Sequence, residues 1–337
     1  AVHLYFNLIG TFIFFIFIYT YQALIGFTFW ENNIDMGQIA NFHTIFNVVS
    51  TIILFPFISL IEKLTIITIK DNKEKDDESD YLSLLNTLDE NVLKVPSIAI
   101  TNSTTIIEKM GELSEKNFTK SLELLNNFQT KQISKIEERE NAIDKMEEEV
   151  TAFLVKLSSL DLPEQESITV NTLLKVESEF EKIGDYSYEL YKIAEDMNEK
   201  DIKLSNLAYF ELEKMYGITH DTIISATRVF KEKDLNLIVE IEALKELAEI
   251  QKEKSKNAHI ERLKEKKCYI ESGISFLELL TVYEKIIDHC ANVAVFTLNY
   301  ITSENFVTRQ EFLKKIYDTE NELLKEKLNQ YINKYAI

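Results

Sequence analysis

The sequence predicts an all-α protein: a transmembrane helical hairpin followed by a duplicated three-helix bundle. Three observations carry that expectation. Seven glycines and three prolines in 337 residues leave little turn chemistry, so long helices must fill the chain. From Ala1 to Ile61 the only charged residues are Glu31 and Asp35, with no Lys or Arg. From Glu62 onward the chain is rich in Leu, Ile, Glu and Lys and carries almost all of the net charge of −19. That acidity excludes a nucleic-acid partner, whose phosphates require a basic surface, and is compatible with cations.

The N-terminal part comes first. Leu4 to Trp30 is uncharged and long enough to cross a bilayer, which takes about 20 residues. Gln38 to Ile61 is a second uncharged run, and the polar "ENNIDMG" joins the two. Lys63, Lys70, Lys73 and Lys75 all follow the second run, which places its end in the cytoplasm. Residue 1 is Ala and no basic segment precedes the apolar run, so it does not read as a signal peptide. The expectation is a chain that begins inside a multi-pass membrane protein. "HLYFNLIGT" at 3–11 is echoed by "HTIFNVVST" at 43–51, so His3 and Asn7 correspond to His43 and Asn47. Polar side chains in lipid normally face protein or water, and duplicated polar motifs mark transporters built from repeats. The four residues read either as supports between spans or, for the histidines, as groups reaching the interface.

Residues 62–82 read as a charged linker around "KDNKEKDDESD", and 83–302 as the bundle, in repeats of about 83–200 and 204–302. Pro96 opens the first helix, and Pro163 stops the second, which covers about 129–160. A third covers about 168–199. A second trio covers about 206–233, 234–267 and 271–302, and residues 303–337 hold a last helix from about Thr308. In the third helix Leu173, Val176, Phe180, Ile183, Ser187, Leu190, Ala194 and Met197 alternate three and four apart, a seam for bundle packing.

The two trios repeat a phrase. Phe180-Glu181 and Asp185 match Tyr283-Glu284 and Asp288. Glu181 and Asp185 stand four apart, on one helix face, and repel unless a cation lies between them. "ENAID" in the second helix supplies Glu140 and Asp144 at the same spacing, with Glu140 in register with the apolar Ile136 and Ile143. Facing E-x-x-x-D helices would offer four oxygen ligands suited to Mg, Mn, Ca or iron. With 56 acids in the chain, the spacing also arises without a metal. His259 and His289 lie near the second-repeat acids and read as ligands or as ordinary hydrogen-bonding residues. Cys268 and Cys290 form no C-x-x-C pattern, which excludes a disulfide framework or zinc ribbon and fits a reducing compartment. No phosphate-cradling glycine loop and no nucleophile motif occurs, so no enzyme is expected.

Two resemblances add to this reading. "AVHLYFNLIGT" and "ANFHTIFNVVSTIILFPF" resemble the C-terminal spans of bacterial type II-related sodium/phosphate cotransporter proteins. That resemblance implies a sodium-coupled phosphate or similar anion transporter in the plasma membrane, with its Gln-Ser-Ser ion and substrate motifs upstream of residue 1. "EFEKIGDYSYELYKIA" and "YEKIIDHCANVA" resemble the signature of PhoU domains, from about Leu84 to Ile301. This implies a cytoplasmic regulatory bundle of two three-helix repeats, a homodimer as the candidate assembly, and metal clusters, often iron, on E/D-x-x-x-D motifs. By position the first-repeat ligands would be Glu140, Asp144, Glu181 and Asp185. The second repeat would use Glu284, Asp288 and Glu249, with Lys245 where the partner glutamate belongs. The combined expectation is the C-terminal part of a sodium-dependent phosphate transporter with a PhoU-like regulatory domain. The alternative is a membrane-anchored PhoU-like signalling or scaffold protein without transport activity.

Overall fold

The computed structural model describes residues 2–27, 30, 33–57, 77–302, 314 and 321–337, and divides the chain into two units, Ala1–Lys75 and Asp76–Ile337. All regular structure among the described residues is helical.

The first unit holds α1 (Val2–Leu24) and α2 (Met36–Leu54), which pack on each other. Gly26, at φ 83°, closes α1 in the left-handed conformation that suits glycine. Asp35 caps α2 in a reciprocal box: its carboxylate accepts from the Gln38 amide (2.8 Å), while its own amide donates to the Gln38 side chain (3.1 Å). The two helices meet where Gly10 lies against Ser50 and Phe46, a site where a Cβ would stand 3.0 Å from Ser50 Oγ. Phe14 adds edge contacts to Phe42 and Phe46. Among the described residues only the segment Asn7–Leu24 is long and apolar enough to cross a membrane. The described part of the second run, Met36–Leu54, carries Gln38, Asn41, His43, Asn47, Ser50 and Thr51 among its apolar residues. Residues 58–61, which would have extended it, lie outside the described residues.

The second unit starts with α3 (Asp77–Leu85), followed by α4 (Pro96–Asn126), α5 (Ile133–Ser158), α6 (Glu164–Glu199), α7 (Asn206–Glu232), α8 (Leu235–Lys264), α9 (Ile270–Thr302) and α10 (Asn321–Tyr335). Helix α3 begins inside the stretch read as a charged linker, 62–82. Tyr81, Leu84 and Leu85 share one face and join the core, which outweighs the acidic run before them. Helix α5 ends at Ser158, before Pro163, which stands at the N-cap of α6, with Glu164 and Glu166 in the first turn at the positive end of the helix dipole. That favourable start explains why α6 begins earlier than residue 168.

Helices α4–α5–α6 and α7–α8–α9 form the two repeats, joined through α4 against α7 and α6 against α9. All eight positions of the α6 seam are buried. Phe180 and its counterpart Tyr283 are both fully buried. Glycines thin the helix contacts at two levels. Gly111 admits the Phe180 ring, and Gly184 admits Ile143 of α5, so α5 and α6 approach closely beside Asp185. Helix α10 packs on α8 and α7. Tyr335 donates to the Gly217 carbonyl (2.8 Å), and Lys327 pairs with Glu240 (2.8 Å). The last helix thus docks on the second repeat of its own chain; the part of the expected helix before 321 lies outside the described residues, Lys314 excepted.

Candidate metal centre

The register of α5 against α6 decides which carboxylates meet. Ile143 wedged against Gly184 sets the level, and one ligand atom from each of Glu140, Asp144 and Asp185 then lies within 4.8 Å of the others. Asp144 is exposed, while Glu140 and Asp185 are half-buried, so the cluster lies at the edge of the core. Glu140 Oε2 is buried and has no hydrogen-bond partner among the described residues. A desolvated carboxylate without a partner is costly. Burial, followed by the repulsion of Asp144 and Asp185, pushes Glu140 up to about 8. Burial and Asp185 also raise Asp144.

Glu181, the fourth expected ligand, stands beside this trio. Lys182 bridges it to Asp185, at 2.9 Å and 2.8 Å, and supplies the local positive charge. Burial raises Glu181, and the Lys182 hydrogen bond opposes that rise. One turn earlier Glu177 is buried, accepts from the Thr151 hydroxyl, and keeps Oε2 without a partner. Desolvation is the main cause that lifts Glu177 to about 7. Glu177, Glu181 and Asp185 occupy successive turns of one α6 face, so the carboxylate ridge is longer than the expected motif. Its signal in the sequence was the same four-residue spacing carried one turn further.

The second repeat places its acids against cations. Lys245 of α8 pairs with Asp288, and Lys252 of α8 pairs with Glu284. Both ammonium groups are largely buried, at 13% and 12% exposure, while Glu249 points to solvent. Lys245, which stands where the resemblance puts a glutamate, reaches Asp288 of α9. Lys252 lies outside the motif, which is why the motif alone did not reveal it. His289 is held by Glu179 (2.7 Å) across the α6–α9 contact, where the Asn292 amide also donates to Glu179 (3.1 Å). His259 is buried against Phe276. Neither histidine joins the three-carboxylate group.

In the first unit, Asn7 and Asn47 are half-buried and His43 is exposed, while the side chain of His3 lies outside the described residues. Asn7 makes an interaction of its own.

Known proteins share this architecture. The PhoU domain family matches residues 107–195, from within α4 to near the end of α6. The phosphate-specific transport system accessory protein PhoU homolog 1 of Thermotoga maritima is 22% identical over 211 residues, covering 62% of this chain and 89% of that protein. The crystal structure of PhoU from Pseudomonas aeruginosa superposes with a TM-score of 0.58 at 17% identity, covering 62% of this chain and 99% of the other. The phosphate transport system regulatory protein PhoU from Streptococcus pneumoniae gives a TM-score of 0.55 at 16% identity, covering 62% and 98%. The second unit therefore contains a PhoU-like domain.

Proposed function

We propose that this chain is a membrane-attached regulator of phosphate homeostasis, in which a cytoplasmic PhoU-like bundle adjoins the last spans of a sodium-dependent phosphate or similar anion transporter. The observation that carries the reading is the union, in one chain, of an apolar unit with a PhoU-like domain. The Thermotoga relative is named for phosphate-specific transport, and the echoed His3/Asn7 and His43/Asn47 motifs fit a repeat-built transporter. The bundle would bias the transporter between conformations through the connecting segment, acting as a regulator with no chemistry of its own.

The first repeat fits a resident cation. Glu140, Asp144 and Asp185 converge with hard oxygen donors, and the orphaned Glu140 oxygen lacks the partner that a cation would supply. A divalent ion or iron held there would neutralise the cluster and tie α5 to α6, with Glu181 available once Lys182 swings aside. The second-repeat acids do not share this fit, because Lys245 and Lys252 already neutralise them.

A second reading, an anchored signalling protein without transport, is favoured by one observation: among the described residues only Asn7–Leu24 is long and apolar enough to span. Labelled-phosphate uptake by cells carrying the native protein, with and without a sodium gradient, separates the two. The transporter reading expects sodium-dependent uptake that survives deletion of residues 77–337 but no longer responds to phosphate supply. Absence of sodium-dependent uptake would leave the anchored reading standing.

A further inference from the structure

The N-terminal halves of α4 and α6 and the C-terminal ends of α7 and α9 line a cavity of about 310 Å³. That volume is within the range of small-molecule sites. Its lining is dominated by threonine, an unusual choice where leucine or valine would fill the space. Thr101, Thr104, Thr105 and Thr169 each give their hydroxyl proton to a backbone carbonyl one turn back, at 2.8–3.0 Å. They therefore present lone pairs to the cavity. Thr297 and Thr172 differ. Thr297 is 1% exposed, and its hydroxyl has no partner; Thr172 is 8% exposed and makes no hydrogen bond among the described residues. Two buried hydroxyl donors thus face the same space as four acceptors.

The lining carries one cation, Lys233, and one carboxylate, Glu108. Lys233 donates to Tyr300 Oη (3.0 Å) and lies 4.2 Å from the centre of that ring, which leaves two ammonium protons and the phenol proton free to donate. Glu108 also lines the cavity, and Lys231 outside it balances that carboxylate at 3.4 Å. The lining combines one ammonium, one carboxylate, buried hydroxyl donors and an excess of acceptors.

We propose that this cavity binds a protonated oxyanion of the hydrogenphosphate type. Lys233, Tyr300, Thr172 and Thr297 donate to its unprotonated oxygens, and Glu108 with the threonine lone pairs accepts from its hydroxyl. Sulfate carries no proton at neutral pH, so it meets the same acceptors with lone pairs and is rejected. The proposal rests on the cavity alone and needs neither the metal centre nor transport by the first unit.

Isothermal titration of the full chain in detergent with inorganic phosphate, then with sulfate, tests it. Phosphate binds, and sulfate binds at least tenfold more weakly. Thr297→Val keeps the shape, and since it removes an unpartnered hydroxyl the variant melts at or above the wild-type temperature while losing about tenfold in phosphate affinity. Lys233→Met loses at least as much, and Glu108→Gln narrows the gap between phosphate and sulfate. The proposal is overturned if phosphate does not bind, if Thr297→Val binds it unchanged, or if sulfate binds equally well. It is also overturned if a chelator or Asp185→Asn abolishes binding, because phosphate would then reside on a metal in the acidic cluster.

Discussion

The two repeats of the bundle share a scaffold and differ in what they do with the same carboxylates. Glu181 and Asp185 on α6 correspond to Glu284 and Asp288 on α9, and each pair faces the middle helix of its own repeat. In the first repeat that helix answers with Glu140 and Asp144, leaving a buried oxygen without a partner. In the second it answers with Lys245 and Lys252, and each acid gains an ammonium. A few charge choices on one helix thus separate a candidate cation site from a permanently neutralised one. The two repeats share their packing and differ in the charge carried at these half-buried positions.

Exchanging these charges breaks the contrast most strongly. Glu140→Lys, which imports the second repeat's choice, should weaken divalent-cation binding by at least about 100-fold, since it removes a ligand and adds a competing charge. The melting temperature without metal should hold or rise, because the repulsion of Glu140 by Asp144 and Asp185 gives way to attraction. Titration with Mn²⁺ followed by calorimetry checks both. Removing an ammonium from the second repeat should act in the opposite sense. Lys252→Ala strands Glu284 and should cost about 2 kcal/mol in denaturant unfolding, less than a fully buried pair because Glu284 is 34% exposed.

The pH dependence sharpens the comparison at a smaller scale. Glu140 and Glu177 are raised to about 8 and about 7 from 4.5, so the folded chain keeps protons that the unfolded chain has already released. Stability without metal should therefore fall as pH rises from about 4.5 to 8, by roughly 1–3 kcal/mol after screening. Glu140→Gln should flatten the portion between about pH 7 and 8, and bound Ca²⁺ or Mn²⁺ should reverse the slope. Smallest of all, Lys156→Ala, which removes an exposed pair with Glu90, should shift unfolding by less than about 0.5 kcal/mol.

Much of the fold could be read from the sequence because helix packing leaves a periodic trace. The α6 seam from Leu173 to Met197 is buried at every step of three or four, and Phe180 aligns with Tyr283 in sequence as in burial. Helix α3 escaped because its acidic neighbours mask Tyr81, Leu84 and Leu85, whose spacing alone marks a face. At the site, the spacing identified Glu140, Asp144 and Asp185, since helical periodicity fixes the face each occupies. Contacts set by side-chain reach were harder to read. Lys182 folds back onto Glu181 and Asp185, and Lys252 crosses from α8 to Glu284, both depending on where a flexible stem ends. Glu177 continues the spacing of Glu181 and Asp185 by one turn, but the spacing alone does not tell that its carboxyl is buried.

The central claim, that the first repeat holds a cation and the second does not, is tested most directly by crystals of the metal-loaded chain measured at the Mn absorption edge. The account expects an anomalous peak among Glu140, Asp144 and Asp185, and none between Glu284 and Asp288. A peak at Glu284 and Asp288, or none at Glu140, would contradict it.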